Sequence, residues 1–236
     1  ISECDWSSDV CSSDLFDADD TLWECQTYFE AVESEYCEIL KSYASADEIS
    51  KALFAVETAN MPLLGYGSKA FLLSLLENAI EISDGKLKAE EVKKIIALGK
   101  ELLQLPGKPM DGVEDTLKVL RDSGKYHLVV FTKGELLDQE NKFRRSGLSP
   151  YFEDIIVVSD KTEKSYYQLC ERFSINVDQL LMVGNSFRSD IEPVLKLGGW
   201  AAYIPFHTIW QHEVVEEYEH SHLVKLEFFM QLMHVL

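Results

Sequence analysis

No apolar run in this chain approaches the roughly 20 residues that a membrane-crossing helix needs, and no basic stretch followed by an apolar one stands at its start, so neither a spanning segment nor a signal peptide is expected. Cysteine is sparse and unpatterned. Cys4, Cys11, Cys25, Cys37 and Cys170 form no CxxC pair and no framework spacing, which fits free thiols in a reducing, cytoplasmic setting and excludes a disulfide scaffold. Cys37 and Cys170 read as small buried residues. Positive charge is also scarce: 22 Lys and Arg face 41 Asp and Glu, a net charge of −19. A partner that binds through clustered phosphates, whether nucleic acid or an anionic membrane surface, is therefore not expected. A small phosphorylated molecule is not excluded, because a few local donors and a metal suffice to hold it. The chain also lacks internal repeats. What remains is 236 residues, 46% hydrophobic and 27% charged, long enough for one large or two smaller domains.

Against this background one stretch stands out. In Phe16-Asp17-Ala18-Asp19-Asp20-Thr21-Leu22-Trp23 three carboxylates fall within four positions. Like charges so close raise one another's pKa unless a cation or hydrogen-bond donors offset them, so the pattern points to a metal or a catalytic pair. In an extended segment Asp17 and Asp19 share a side, with Ala18 on the other. A plain acidic turn is the bland alternative. A calcium loop of the EF-hand type is excluded, because its Gly and Glu positions, counted from Asp17, hold Leu22 and Tyr28.

Beyond the acidic stretch, residues 24–105 read as helices. Tyr28, Val32, Tyr36, Ile39, Leu40 and Tyr43 recur at helical spacing, as do Ala70, Leu73, Leu76 and Ile80, and as do Val92, Ile95, Ile96, Leu98, Leu102 and Leu103. Ser68 is a candidate N-cap, and Asp111 with Glu114 a candidate capping box for a helix ending near Gly124. Strands then alternate with helices. Apolar runs at 126–131, 155–158, 179–184 and 200–205 read as buried parallel strands, with helices between them. The runs deliver Thr132-Lys133-Gly134, Ser159-Asp160-Lys161, and Gly184-Asn185 with Asp190 following. His207 and His212 do not fall beside Asp17 by spacing and read as packing or surface residues.

Asp17-Ala18-Asp19-Asp20-Thr21, strand-terminal Thr132, Lys161 at a strand-to-helix junction, and Gly184-Asn185 with Asp190 resemble, in order, the four motifs of the haloacid dehalogenase-like (HAD) superfamily of phosphohydrolases. The resemblance covers nearly the whole chain from Phe16. It implies an α/β fold, a Rossmann-like parallel sheet core (residues 16–23 and 106–236) with an all-helical type 1 cap inserted after the first strand (24–105). It implies a phosphomonoester hydrolase in which Asp17 is the nucleophile, forming an aspartyl-phosphate. Asp19 is then the general acid and base, and Thr132, the Lys133 amide and Lys161 stabilise the transferring phosphoryl, with Lys164 the runner-up for the lysine. Mg2+ is held by Asp17, the Asp19 carbonyl, Asn185 and Asp190. Asn185 departs from the family's usual Asp and supplies an oxygen without charge, which implies weaker metal binding. Trp23, Tyr66 and Lys69 are expected, by position, to contact the substrate. Asp19 favours a phosphatase over a dehalogenase, which needs neither metal nor that acid. A sugar-phosphate mutase uses the same motifs and is the alternative, followed by a phospho-accepting or phosphate-binding module. Substrate identity and oligomeric state are not legible.

Residues 5–15 also resemble a translated sequencing-library adapter, codon by codon. Residues 1–15 are accordingly read as a non-native segment with Leu15 at the seam. Ser2 to Asp14 shows no strand period where the fold requires a strand, so the native first strand reads as missing.

Overall fold

The computed structural model describes residues 12–236, so residues 1–11 of the segment read as non-native, Cys4 and Cys11 among them, lie outside the described residues. Six strands, β1 (Ser12–Phe16), β2 (Tyr126–Lys133), β3 (Asp154–Val158), β4 (Leu180–Gly184), β5 (Trp200–Tyr203) and β6 (Leu223–Lys225), form one sheet in the order β3-β2-β1-β4-β5-β6. Every pairing is parallel. This is the expected Rossmann-like α/β core. Parallel strands are covered on both faces, which is why the β2 and β4 sequences are nearly continuous apolar runs. Alternate residues point to opposite faces. Phe16, Val130, Leu181 and Val183 pack with Leu117 and Leu120 of α5 (Val113–Ser123) and with Phe229 and Leu232 near the C-terminus. Leu15, Val129, Phe131 and Met182 pack on the other face with Tyr166 and Leu169 of α7 (Glu163–Phe173) and with Val194 of α8 (Glu192–Leu197).

The strand read as missing has an occupant. Ser12–Phe16 pairs with β2 on one side and β4 on the other, in spite of its polar sequence. The slot dictates this, because an empty one would leave facing rows of buried N-H and C=O groups without partners. Asp14 is consequently fully buried in the middle of the sheet. β6 was not anticipated either; three residues at an edge carry too little pattern to read.

Between β1 and α5 the chain makes four helices: α1 (Gln26–Leu40), α2 (Ala46–Leu64), α3 (Ser68–Ile82) and α4 (Ala89–Leu102). They enclose a core of their own, in which Tyr36, Leu40, Ile49, Leu53, Leu75 and Ile95 are almost completely buried. α2 opens on a capping box between Ser45 and Glu48. Two expected caps do not form. Gly67 precedes α3 while the Ser68 hydroxyl donates to Asp138, and Gly112 precedes α5 with no side-chain cap from Asp111. Cys25, Cys37 and Cys170 are buried free thiols. Among the described residues no helix is long and apolar enough to cross a membrane.

Candidate active site

β1 ends at Phe16, and the next residue, Asp17, is tied to β4 through its N-H to the Val183 carbonyl at 2.9 Å. The chain then turns sharply. The Ala18 carbonyl accepts from Leu22 N-H at 2.8 Å, and Asp20 takes a left-handed backbone with φ of 63°. That turn separates the three carboxylates. Asp20 points back to the start of α1, accepting from Cys25 N-H at 2.7 Å and Gln26 N-H at 3.0 Å. Burial nevertheless raises its pKa to about 7. It fastens the insert to the core and does not face the same partners as Asp17 and Asp19.

Lys161, whose side chain is 1% exposed, donates to Asp17 Oδ1 at 2.5 Å and to Asp190 Oδ1 at 2.6 Å. Lys164 is exposed, so the ambiguity between the two lysines is resolved by position. Two buried carboxylates thus share one ammonium. Burial opposes the lysine's charge, yet Asp17 and Asp190 together hold its pKa above the ordinary value. Asp17 is raised to about 7, because burial outweighs the attraction of Lys161 and Asp190 repels it. Asp190 Oδ2 accepts from Ser186 N-H at 2.9 Å. Gly184 makes this possible: a Cβ there would lie 2.2 Å from Asp190 Oδ2.

Asp19 has a different set of partners. Lys142 Nζ donates to both of its oxygens at 2.7 Å, Trp23 Nε1 to Oδ1 at 2.8 Å and Gln139 Nε2 to Oδ2 at 2.9 Å. Burial pushes Asp19 upward, but the Lys142 charge and these hydrogen bonds outweigh it and hold the carboxyl below its usual range. Gln139 Nε2 also lies 3.2 Å from the Thr132 hydroxyl, at the end of β2. The Asn185 amide sits 3.1 Å from Asp17 Oδ2, 3.1 Å from Thr21 Oγ1 and 3.2 Å from the Asp19 carbonyl, and turning its nitrogen toward them satisfies all three.

A cavity of about 210 Å³ opens onto these groups. Asp17, Asp19, Thr132, Lys133, Asn185 and Asp190 line it from the core, and Phe29, Glu33, Glu57 and Tyr66 from the insert. Lys133 is paired with Glu213 at 2.5 Å and Ser189 at 2.7 Å, with its ammonium 4.4 Å from the Tyr66 ring centre. Two of the expected substrate contacts need correction. Trp23 is 1% exposed in the core and reaches the site only by holding Asp19. Lys69 is exposed, pairs with Glu135 and is not part of the cavity wall. Their places in sequence suggested proximity, but the turn at Asp20 and the start of α3 direct them elsewhere. His207 is exposed, and His212 stacks on Phe54 of α2 at 4.2 Å.

Sequence reasoning did not single out Gln139, Lys142 or Glu213. A signal for the first two existed. α6 (Leu136–Ser146) exposes Leu136 and Leu137 while burying Asp138, Gln139, Lys142 and Ser146, so its inward face is polar and its leucines face solvent. Positions 139 and 142, three apart on a helix leaving Thr132, share that inward face. Glu213 sits in a short 3-10 turn after a long loop, with no motif around it.

The strand-end positions of Asp17, Thr132, Lys161 and Asp190, at the carboxyl edge of a parallel sheet with a helical insert above, define a hydrolase-type α/β site. A family model described as haloacid dehalogenase-like hydrolase matches residues 15–198, and the chain belongs to that family. A haloacid dehalogenase-like family hydrolase from Xanthomonas campestris is 33% identical, with 92% of this chain and 87% of that one superposed at a TM-score of 0.83. HAD-hydrolase YfnB of Bacillus subtilis is 27% identical over 247 residues, 94% of each chain. Its magnesium-bound crystal structure superposes at a TM-score of 0.62, with 16% identity over 96% of this chain and 98% of that one. A HAD phosphatase from Thermococcus onnurineus, 19% identical over 95% of this chain and 97% of its own, shares the fold at a TM-score of 0.63. Dehalogenases share it as well.

Proposed function

We propose that this hydrolase cleaves phosphate monoesters of a small metabolite through an aspartyl-phosphate on Asp17. The observation that carries this reading is Asp19: a second carboxylate, two residues from Asp17, held by three donors and lining the same cavity. Departure of an alkoxide needs a proton donor, whereas departure of a halide does not.

Asp17 attacks phosphorus in line with the ester oxygen, the P-O bond to that oxygen breaks, and Asp19, ionised against Lys142 in the free site, takes up a proton brought in by the monoanionic ester and passes it to the departing oxygen. Asp19 then takes a proton from the water that attacks the aspartyl-phosphate, which releases phosphate and restores Asp17. The ion pair with Lys142 keeps Asp19 in the form required for this second half. Lys161 and the Thr132 hydroxyl offset the charge gathering on the phosphoryl oxygens.

The donor set fits Mg2+. Asp17, the Asp19 carbonyl and Asp190 are hard oxygen ligands, two of them carboxylates, and Asn185 would add its amide oxygen by turning back from the orientation in which its nitrogen bonds Asp17 and the Asp19 carbonyl. When bound, the cation would screen the repulsion between Asp17 and a phosphate dianion. That YfnB binds magnesium supports the assignment.

The test is phosphate release from an aryl phosphate and a panel of phosphorylated metabolites, with and without Mg2+. Magnesium-dependent release that disappears in a folded Asp17→Asn variant is expected. Halide release from a 2-halo acid, with no phosphate released from any ester, would overturn the reading in favour of a dehalogenase; phosphate migration within a sugar phosphate would point to a mutase.

A further inference from the structure

The cavity is rich in acceptors, and the ammonium groups in its wall are already engaged. At the insert end Glu33 of α1 and Glu57 of α2 line it, and among the described residues neither makes a hydrogen bond or an ion pair. The helix that leaves Thr132 adds three more acceptors: Glu135 Oε2, Asp138 Oδ1 and Gln139 Oε1 are buried without a donor. Asp138 and Gln139 are only 5% and 3% exposed, and both residues belong to the cavity wall. The lysines of the wall are both taken, Lys133 by Glu213 and Lys142 by Asp19. Asn60 spends its amide hydrogens on Ser74 at 3.2 Å and Glu77 at 2.8 Å. A second anionic group on a substrate would meet like charge here and, among the described residues of the wall, no unpaired ammonium.

We infer that the leaving group carries an ammonium, held between Glu33 and Glu57 with Phe29 and Phe71 beside it, so that the substrate is an amine-bearing phosphate monoester. This rests on the phosphatase reading of Asp17 and adds its substrate class. The two rings line the cavity with their centres 5.2 Å apart, and aromatic faces attract cations in a way that they do not attract anions. Burial, reinforced by Glu33, raises Glu57 to about 7, the mark of a carboxylate that lacks a counter-charge and that a ligand cation would supply. The phosphoryl group goes to the opposite end, at Lys161 and Thr132, and the small cavity suits a short chain between the two.

The experiment compares kcat/KM of the full chain, with Mg2+, on three short alkyl phosphates of matched length that end in an ammonium, a methyl and a carboxylate, with an aryl phosphate as the control for catalysis. The ammonium ester is expected to lead the methyl ester by about tenfold, with the carboxylate ester slower still by a similar factor. Glu33→Gln with Glu57→Gln should flatten that order, and Glu57→Lys should lift the carboxylate ester above the ammonium one. Turnover of the aryl phosphate with no preference for the ammonium ester, with a preference for a polyol phosphate, or with an order indifferent to the glutamates would overturn the inference and leave the phosphatase reading standing. If the aryl phosphate is not hydrolysed, the phosphatase reading fails first. Calorimetric binding of the matched aminoalkyl and alkyl phosphonates then decides the inference independently: tighter binding of the aminoalkyl compound by wild type, lost in the double glutamine variant, upholds it, and equal binding overturns it.

Discussion

The two ends of the cavity handle buried charge in opposite ways. At the core end the strand-edge carboxylates have cations: Asp17 and Asp190 share Lys161, and Asp19 has Lys142 with Trp23 and Gln139 as further donors. At the insert end Glu33 and Glu57 have neither. The core end belongs to strand termini fixed by a parallel sheet, so its charges are matched within the protein. The insert end is made by helices α1 and α2, and its uncompensated charge is a demand placed on the ligand. On the proposed reading, chemistry is built into the sheet and selectivity is left to the helices above it.

The comparison is broken most severely at Asp17. Asp17→Asn removes the proposed nucleophile, and kcat/KM for any ester that the enzyme turns over should fall by at least about 10³-fold, with far-ultraviolet circular dichroism unchanged. Residual activity within tenfold of wild type would remove Asp17 from the mechanism. Next comes the shared cation. Lys161→Met leaves two buried carboxylates facing each other, a loss on the order of 3–5 kcal/mol in urea unfolding measured without Mg2+. Lys164→Met should stay within about 0.5 kcal/mol because that side chain is exposed. Equal effects from the two would mean that the sharing of one ammonium contributes nothing to the fold.

How much of this was legible follows from what each region asks of its residues. β2 and β4 were readable because strands buried on both faces must be apolar, and bounded β-branched runs announce them. Asp17, Thr132, Lys161 and Asp190 were readable because they come at or shortly after the ends of β1, β2, β3 and β4 in a fixed order. Polar residues that face inward from a helix were not: Gln139 and Lys142 lie on α6, where the exposed leucines point the periodicity the wrong way. Trp23 and Lys69 misled for a related reason, since nearness in sequence says nothing about a turn through a left-handed Asp20. β1 is the sharpest case. Its residues have no strand pattern, and the slot between β2 and β4 imposes one.

The smallest effect sharpens the comparison at its weak end. Glu57 ionises near 7 in the folded chain against 4.5 as the ordinary value, chiefly through burial and then through Glu33. Between those values the folded state binds more protons than the unfolded one, so this group's contribution to stability falls as pH rises from about 4.5 to 7 and is lowest above 7. Glu57→Gln removes that dependence. It should leave stability at pH 5 nearly unchanged and raise it at pH 8 by about 1–2 kcal/mol, less than the full shift implies because the side chain keeps some contact with solvent. The measurement is a pair of unfolding curves, wild type and variant, at the two pH values. Parallel behaviour at both would mean that Glu57 is already compensated in the empty cavity, and the contrast between the two ends would then rest on Glu33 alone.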